Sequence, residues 1–401
     1  DRNRQHRLRL AEAFERHGNI REAEHTLELA RKNSPADLVV METLATFYER
    51  QQAQSAYVMH LNRATDDFRQ AIRNDLSDAA AWHGLVKVLQ RRSCFDAART
   101  CASAALAAGV VDIELSRLLS PEGAALITPS KTPEDALDQL LAPPMLSPAV
   151  RMIFALTDRV MEKLFPLNLK VFHATRVSKR DPIRMTAHTV ANWLSLPTPQ
   201  VYVTDATSRL CAPLTNSPPS VLISQDLLTA TTDHEQIFLI ARSLKVSSSC
   251  LSITARTSPY DIAVALAAVV HCGDPEFYPP GIDPAVLVDY SQQLRKNLSK
   301  RVLQELHPHT RVIAAMEGFD PGALGALAFQ LGSRYALVAT GSAPAAVNAL
   351  LKLNGIAEPN ANLALRLSAI RRFSEIASLL NFAISDEHFE ARRRIMDRVQ
   401  G

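Results

Sequence analysis

A chain of 401 residues, 47% hydrophobic and 21% charged, carries enough apolar material for two or three globular cores. A formal net charge of +3 gives no reason to expect a nucleic-acid or membrane footprint, which needs clustered basic residues rather than a slight excess. The longest apolar runs, such as Ile262 to Val270, fall far short of the roughly 20 residues of a bilayer-spanning helix. Five cysteines, odd in number and without a CxxC pair, argue against a disulfide framework or a structural zinc site and for a reducing, cytoplasmic setting. Since residue 1 is Asp, the native start is expected to be missing, so the lack of a signal peptide proves little.

The first hundred residues repeat. Leu10, Ala11, Phe14, Gly18, Ala23, Leu27, Ala30 and Pro35 are spaced as two amphipathic helices with a turn between them and a proline stop. A shift of 34 residues carries Leu10, Ala11 and Phe14 onto Leu44, Ala45 and Tyr48. The same shift relates Ala64, Phe68 and Ala71 to Ala98, Ala102 and Ala105, and Trp82, Leu85, Val86 and Leu89 open a third unit. The middle unit holds about seven extra residues, read as a longer turn or a longer helix. This pattern resembles the tetratricopeptide repeat, which implies stacked helix pairs with a concave surface lined by the first helix of each pair. On that surface the resemblance puts Glu12, Glu15, Glu42, Glu49, His83, Lys87 and Gln90, with Arg16, Arg50 and Arg91 closing the inner helices. Those arginines suit a helix C-terminus or a row gripping an acidic partner. The lysine-and-asparagine set that clamps a C-terminal carboxylate in some such repeats is not evident.

Beyond Asp112 the period breaks. Six prolines between Leu118 and Pro148, including Pro143-Pro144, make residues 113–146 a connector with one short helix from Glu134 to Leu141. A second region, 147–401, opens with a helix whose apolar face reads as Ile153, Leu156, Val160 and Leu164, then a helix in "DPIRMTAHTVANWLSL" that Pro197 ends. "QVYVTD" and "SVLISQD" are β-branched runs of strand length.

From Pro199 to Leu244 the order of elements resembles the core of HtpX-like and CaaX-protease-like zinc peptidases. The matching pieces are a strand at Pro199 to Val203, a loop around Leu210 to Ala212, a strand at Val221 to Leu228 and an acidic-then-apolar helix from Asp233 to Ala241. The resemblance covers roughly residues 147–350. It implies an α+β zincin-like domain with a small sheet, in a chain that is mostly α overall. It does not bring the zinc chemistry. Two histidines four apart and a glutamate between them are needed, and the corresponding positions hold Arg242, Ser243 and Val246. The third ligand's position falls on Phe329, and Ser333 and Arg334 stand where that family has an aspartate and an arginine. His234-Glu235 cannot complete an HExxH, because Phe238 follows at the fourth position. Asp233 and Glu235 suit a helix N-terminus.

Other candidates are weaker. His307 and His309 flank a proline in an expected loop, His271-Cys272 ends an apolar helix, and Arg392, Arg393 and Arg394 form a solvated face with Glu387 and Glu390. The expected protein is a non-enzymatic adaptor without a cofactor. Its repeats bind a protein partner and its pseudo-peptidase domain offers a second docking surface. The alternatives are a residual metal-dependent hydrolase using His234, Glu235 or His271, and a subunit of a larger bacterial assembly. The architecture resembles bacterial proteins that pair such repeats with peptidase-derived domains. Partner identity and oligomeric state are not legible.

Overall fold

The computed structural model describes residues 2–119, 134–318, 320–359 and 362–396. The larger part of the expected connector, residues 120–133, lies outside the described residues. The chain is mostly helical, with one four-stranded sheet among the described residues. It forms two compact units. One comprises residues 1–123, 360–372 and 380–389; the other comprises 124–359, 373–379 and 390–401.

The first unit begins with three helical hairpins: α1 (Arg2–Arg16) with α2 (Ile20–Asn33), α3 (Leu38–Arg50) with α4 (Gln54–Asn74), and α5 (Ala79–Arg91) with α6 (Phe95–Ala108). One turn design closes all three. Gly18, Gln52 and Ser93 adopt left-handed φ of 75°, 54° and 59°. Asn19, Ala53 and Cys94 donate their backbone N–H back to the carbonyls of Phe14, Tyr48 and Leu89 at 2.9, 3.0 and 2.9 Å. Those bonds satisfy carbonyls that a helix end leaves open. The next inner helix starts each time at an aspartate: Asp37 accepts from the N–H groups of Val39 and Val40, Asp78 from Ala81, and Asp112 from Glu114 and Leu115. Asp112 therefore opens a fourth inner helix, α7 (Ile113–Arg117), which stops after five residues.

The extra residues of the middle hairpin lengthen its second helix rather than its turn: α4 has 21 residues where α2 and α6 have 14. Most repeating apolar positions are buried, with Ala11, Ala23, Leu27, Leu44 and Tyr48 joined by Phe47 in one cluster, but Leu10 is 40% exposed and Phe14 only half-buried. At Gly84 the inner helix lies directly on the Phe68 ring, since a Cβ there would come within 2.1 Å of it.

The second unit contains α8 (Glu134–Leu141), α9 (Pro148–Leu164), β1 (Thr175–Arg176), α10 (Pro182–Trp193), β2 (Gln200–Thr204), β3 (Cys211–Asn216), β4 (Pro219–Ser224) and α11 (Gln225–Ala230). It continues with α12 (Asp233–Ser248), α13 (Ser252–Arg256), α14 (Pro259–Gly273), α15 (Pro284–Asn297), α16 (Lys300–Ala314), α17 (Leu324–Thr340) and α18 (Ala343–Leu353). The C-terminal helices α19 (Leu363–Arg372), α20 (Ser374–Ala383) and α21 (Asp386–Met396), expected in the second domain, divide between the two units.

Sheet order is β1-β2-β4-β3, with β2 and β4 parallel and the two outer pairings antiparallel. The expected strands at 200–205 and 220–226 form as β2 and β4, but the second ends at Ser224 because α11 takes up residues 225–230, so the strand expected to run to Leu228 is cut short. The expected loop around Leu210 to Ala212 is instead the start of β3, whose Ala212 pairs with Leu222. Four further expectations are corrected. The buried face of α9 is Ala149, Val150, Ile153, Phe154, Thr157, Val160 and Met161, with Leu156 and Leu164 only half-buried. That set is one stripe of a 3.6-residue helix, offset from the one read in the sequence. Residues His307 and His309 lie inside α16, not in a loop, with Pro308 between them. Arg392 does not join its neighbours on a solvated face. Its guanidinium donates to the Val338 carbonyl at 3.1 Å, near the C-terminus of α17, which attracts a cation. A short helix, α7, begins where the period was read as breaking.

At the centre of the second unit lies α12, in contact with α10, α17, α18, β3 and β4. From Phe238 to Ser247 every residue is buried, so the helix has no solvent face along that length. Gly332 is what lets α17 approach so closely, because a Cβ there would meet the Arg242 carbonyl oxygen at 2.4 Å.

Candidate functional site

The residues singled out on the inner helices of the first unit do come together, as an ion-pair ladder. Arg16 pairs with Glu12 one turn before it. Arg50 reaches the previous inner helix and grips Glu15 with both ends of its fork, Nε to Oε1 at 3.0 Å and Nη2 to Oε2 at 2.7 Å. One hairpin later Arg91 also reaches the previous inner helix, but it bridges two carboxylates there, Glu42 through Nε at 2.7 Å and Glu49 through Nη1 at 2.9 Å. Two parallel N–H···O bonds, as Arg50 makes, are the strong form of this contact. The Arg50 guanidinium holds Glu15 below the ordinary carboxylate range, and Arg91 is raised above its ordinary value, chiefly by Glu42. Arg50 and Arg91 thus tie successive hairpins together, while Arg16 pairs within its own helix.

The last rung differs. His83 lies between two carboxylates of the next segment, with Nδ1 3.5 Å from Asp112 and Nε2 3.2 Å from Glu114, and Lys87 stands 3.5 Å from Glu114. His83, Lys87 and Glu114 line an open groove of about 340 Å³, completed by Val86, Gln90, Leu115, Arg117 and Leu118. Val86 and Leu115 give it an apolar floor, and donors and acceptors of both signs rim it. Chemically it can hold a short peptide segment by mixed polar contacts over an apolar base.

In the second unit, three of the positions named on the zincin resemblance meet around a carboxylate. Arg242, on α12, donates from Nε to Glu375 Oε1 at 2.9 Å and from Nη2 to Oε2 at 3.0 Å. Ser333 accepts from the same Nε at 3.0 Å and donates to Glu375 at 2.7 Å. The guanidinium carbon lies 3.9 Å from the centre of the Phe329 ring, a close cation–π contact. Arg242 is 4% exposed in its side chain, so the charge is held by neighbours rather than by water. Val246 is fully buried. Ser243, also buried, touches the Cys211 sulfur at 3.5 Å, and burial pushes the Cys211 thiol up to about 11.

One turn along α12 is a second buried cation. The Lys245 ammonium lies 2.8 Å from Asp138, whose other oxygen accepts from Arg151 at 2.5 Å. Its ring contact, 5.6 Å to the centre of Tyr335, comes again from α17. Sequence reasoning missed Glu375 and Asp138. The available signal was two basic residues, Arg242 and Lys245, inside an otherwise apolar helix.

His234 and Glu235 part company. Glu235 is buried, completes a capping box with Thr232 through a 2.8 Å bond and meets the Lys352 ammonium at 2.7 Å, while His234 is exposed. His271 places Nδ1 3.2 Å from the Phe277 carbonyl and its ring edge-on to Tyr278, and the adjacent Cys272 thiol is raised by burial. Asp158 and Glu162, one turn apart on α9, are raised by burial; Asn216 donates to the first at 2.5 Å and Arg256 to the second at 2.7 Å. These contacts join α9 to β3 and α13. Among the described residues no three His, Cys, Asp or Glu side chains converge as a metal site would require. Set against known proteins, the sequence matches no family model, no curated protein and no solved structure.

Proposed function

We propose that the protein is a binding adaptor: the inner-helix surface of its helical hairpins takes a protein segment, and its second unit is a zincin-like domain adapted to structural use. The observation that carries this reading is the Arg242, Ser333, Glu375 and Phe329 cluster. In a metallopeptidase of this type the helix delivers imidazoles to a cation. Here the same stretch delivers its own cation, and Glu375, the carboxylate bonded to it among the described residues, is satisfied by it. A guanidinium and a buried hydroxyl bonded to that carboxylate leave no acceptor pair for a metal and no free base.

On the first unit, the tetratricopeptide reading is supported by the identical turns, the aspartate caps and the shared apolar positions of the three hairpins. The Glu12–Arg16, Glu15–Arg50 and Glu42–Glu49–Arg91 sets form the walls of the surface. The groove at His83, Lys87 and Gln90 is where a ligand's own charges find the least committed partners. A segment carrying an acidic side chain near an aliphatic one fits it. The reading is tested by affinity capture with the full chain against a Lys87→Glu/Gln90→Ala variant, which alters only the groove. Specific enrichment of a protein by the first bait and its loss with the second supports the adaptor. Identical captures from both baits refute it.

A further inference from the structure

The net charge of the chain conceals one strongly basic region in the second unit. Between Lys163 and His188 there are six Lys and Arg, one Asp and two His, a local excess of 6 − 1 = +5. Subtracting this from the total of +3 leaves −2 for all other residues, so the whole positive excess is in these 26 positions. Five of the cations, Lys163, Lys170, Arg176, Lys179 and Arg180, are exposed. Among the described residues none of the five makes an ion pair, in contrast to Arg50, Arg69, Arg91, Arg151 and Arg242.

The backbone gathers four of them, Lys170, Arg176, Lys179 and Arg180. The two-residue edge strand β1 is flanked by compact turns, one closed by Ala174 N–H to the Leu169 carbonyl (3.3 Å) and the other by Asp181 N–H to the Ser178 carbonyl (3.4 Å). At about 3.3 Å per extended residue, the four steps from Ala174 to Ser178 put the two turns roughly 13 Å apart. Thr204 fixes the first by donating to the Phe172 carbonyl at 2.5 Å, and Arg184 fixes the second by donating to the Val177 carbonyl at 3.3 Å. The turns also present aliphatic side chains to solvent: Val171 is 67% exposed and Met185, in the first turn of α10, is 55% exposed.

We infer that this region is a docking surface for an anionic lipid bilayer. Unpaired Lys and Arg draw the surface toward acidic headgroups, and exposed aliphatic side chains among them gain by entering the interface. A single-stranded nucleic acid fits less well, because stacking needs exposed aromatic rings, and a duplex gains nothing from the exposed aliphatic side chains. The two aromatic residues of the region, Phe165 and Phe172, are half-buried, and Phe165 packs on Tyr290. The short, positively charged edge strand also avoids pairing with other strands.

The test is cosedimentation of the full chain with phosphatidylcholine vesicles, with and without about 30 mol% phosphatidylglycerol, at about 50 mM and 500 mM salt. Binding to the anionic vesicles alone, lost at high salt, is the expected result. With about fivefold in partition per basic residue, Arg176→Gln/Lys179→Gln/Arg180→Gln lowers binding about a hundredfold. Val171→Ser costs about tenfold more. Arg2→Gln/Arg9→Gln, exposed cations of the first unit, changes nothing. All these positions are solvent-exposed, and matching circular dichroism spectra verify that the variants fold. Equal binding to neutral vesicles, no binding at low salt, or anionic binding indifferent to the triple substitution overturns the inference. So does a DNA duplex that competes with vesicles and is itself lost by the triple variant, an outcome that reassigns the surface to nucleic acid.

Discussion

Removing the carboxylate of Glu375 isolates a guanidinium that has little access to water. Arg242 is 4% exposed and Glu375 25%, so the pair is nearly buried on one side and partly screened on the other. Breaking a fully buried pair from one side costs about 3–5 kcal/mol. The exposure of Glu375 lowers the expected cost of Glu375→Ala to about 2–3 kcal/mol. Ser333 loses its acceptor as well, while the Phe329 ring remains and softens the loss. In the double variant Arg242→Met/Glu375→Leu, no charge is left inside. That variant is expected to lie within about 1 kcal/mol of the parent, giving a coupling of about 2 kcal/mol in the cycle. Urea unfolding followed by tryptophan emission measures this. The two tryptophans, Trp82 and Trp193, lie one in each unit, so a Trp82→Phe background reports the second unit alone. A cost below about 1 kcal/mol for Glu375→Ala, or simple addition of the two single effects, would refute the view that this carboxylate neutralises Arg242.

Three further outcomes are expected. At Gly84 a methyl group would collide with Phe68, so Gly84→Ala destabilises the first unit by about 1–3 kcal/mol, and Phe68→Leu in the same chain recovers part of that loss; equal costs with and without Phe68→Leu would contradict the packing. His60 is buried, its ring bonded to the Met41 carbonyl at 3.0 Å, and burial lowers its pKa. The unfolded chain therefore binds the proton more readily. Stability is full above the unfolded value of about 6.5 and falls as pH drops below it, a slope that His60→Gln flattens in urea midpoints taken from pH 7.5 to about 5.5. Burial raises the thiols of Cys101 and Cys211, so alkylation of the native chain at about pH 8 leaves both unmodified, and mass spectrometry finds them labelled only after urea is added.

Much of the first unit was legible because its apolar positions recur at a fixed interval, whereas the aspartates that cap its helices were not read as starts. The longer middle helix was only half legible, since "QQAQSAYVMHLNR" suits a helix as well as a turn. In the second unit, β2 and β4 stood out by their β-branched residues. β3 did not, because "CAPLTN" contains Pro213 and a single β-branched residue, and β1 is too short to leave a period. Pro308 suggested a loop, yet α16 runs through it, held by the packing of Leu306, Thr310 and Ile313. The buried clusters are the least readable part. Arg242 and Lys245 inside an apolar run require carboxylate partners, but nothing in "SEIASLL" or "EDALDQLL" announces that Glu375 and Asp138 supply them. Those pairings span 133 residues and 107 residues respectively, and only the tertiary fold sets them.

The seven residues by which α4 exceeds its counterparts also say how such an array can grow. Seven residues advance a helix by almost two whole revolutions, leaving an angular error of about 20°. Tyr57, Leu61 and Ala64 then repeat the stripe that Ala64, Phe68 and Ala71 continue, and Ala64 serves both frames at once. An insertion of five residues would swing the downstream stripe by about 140° and point it at solvent. Length variants of this hairpin are thus tolerated where the added residues nearly complete whole turns, so descendants that elongate α4 are expected to carry seven, eleven or eighteen additional residues rather than five or ten.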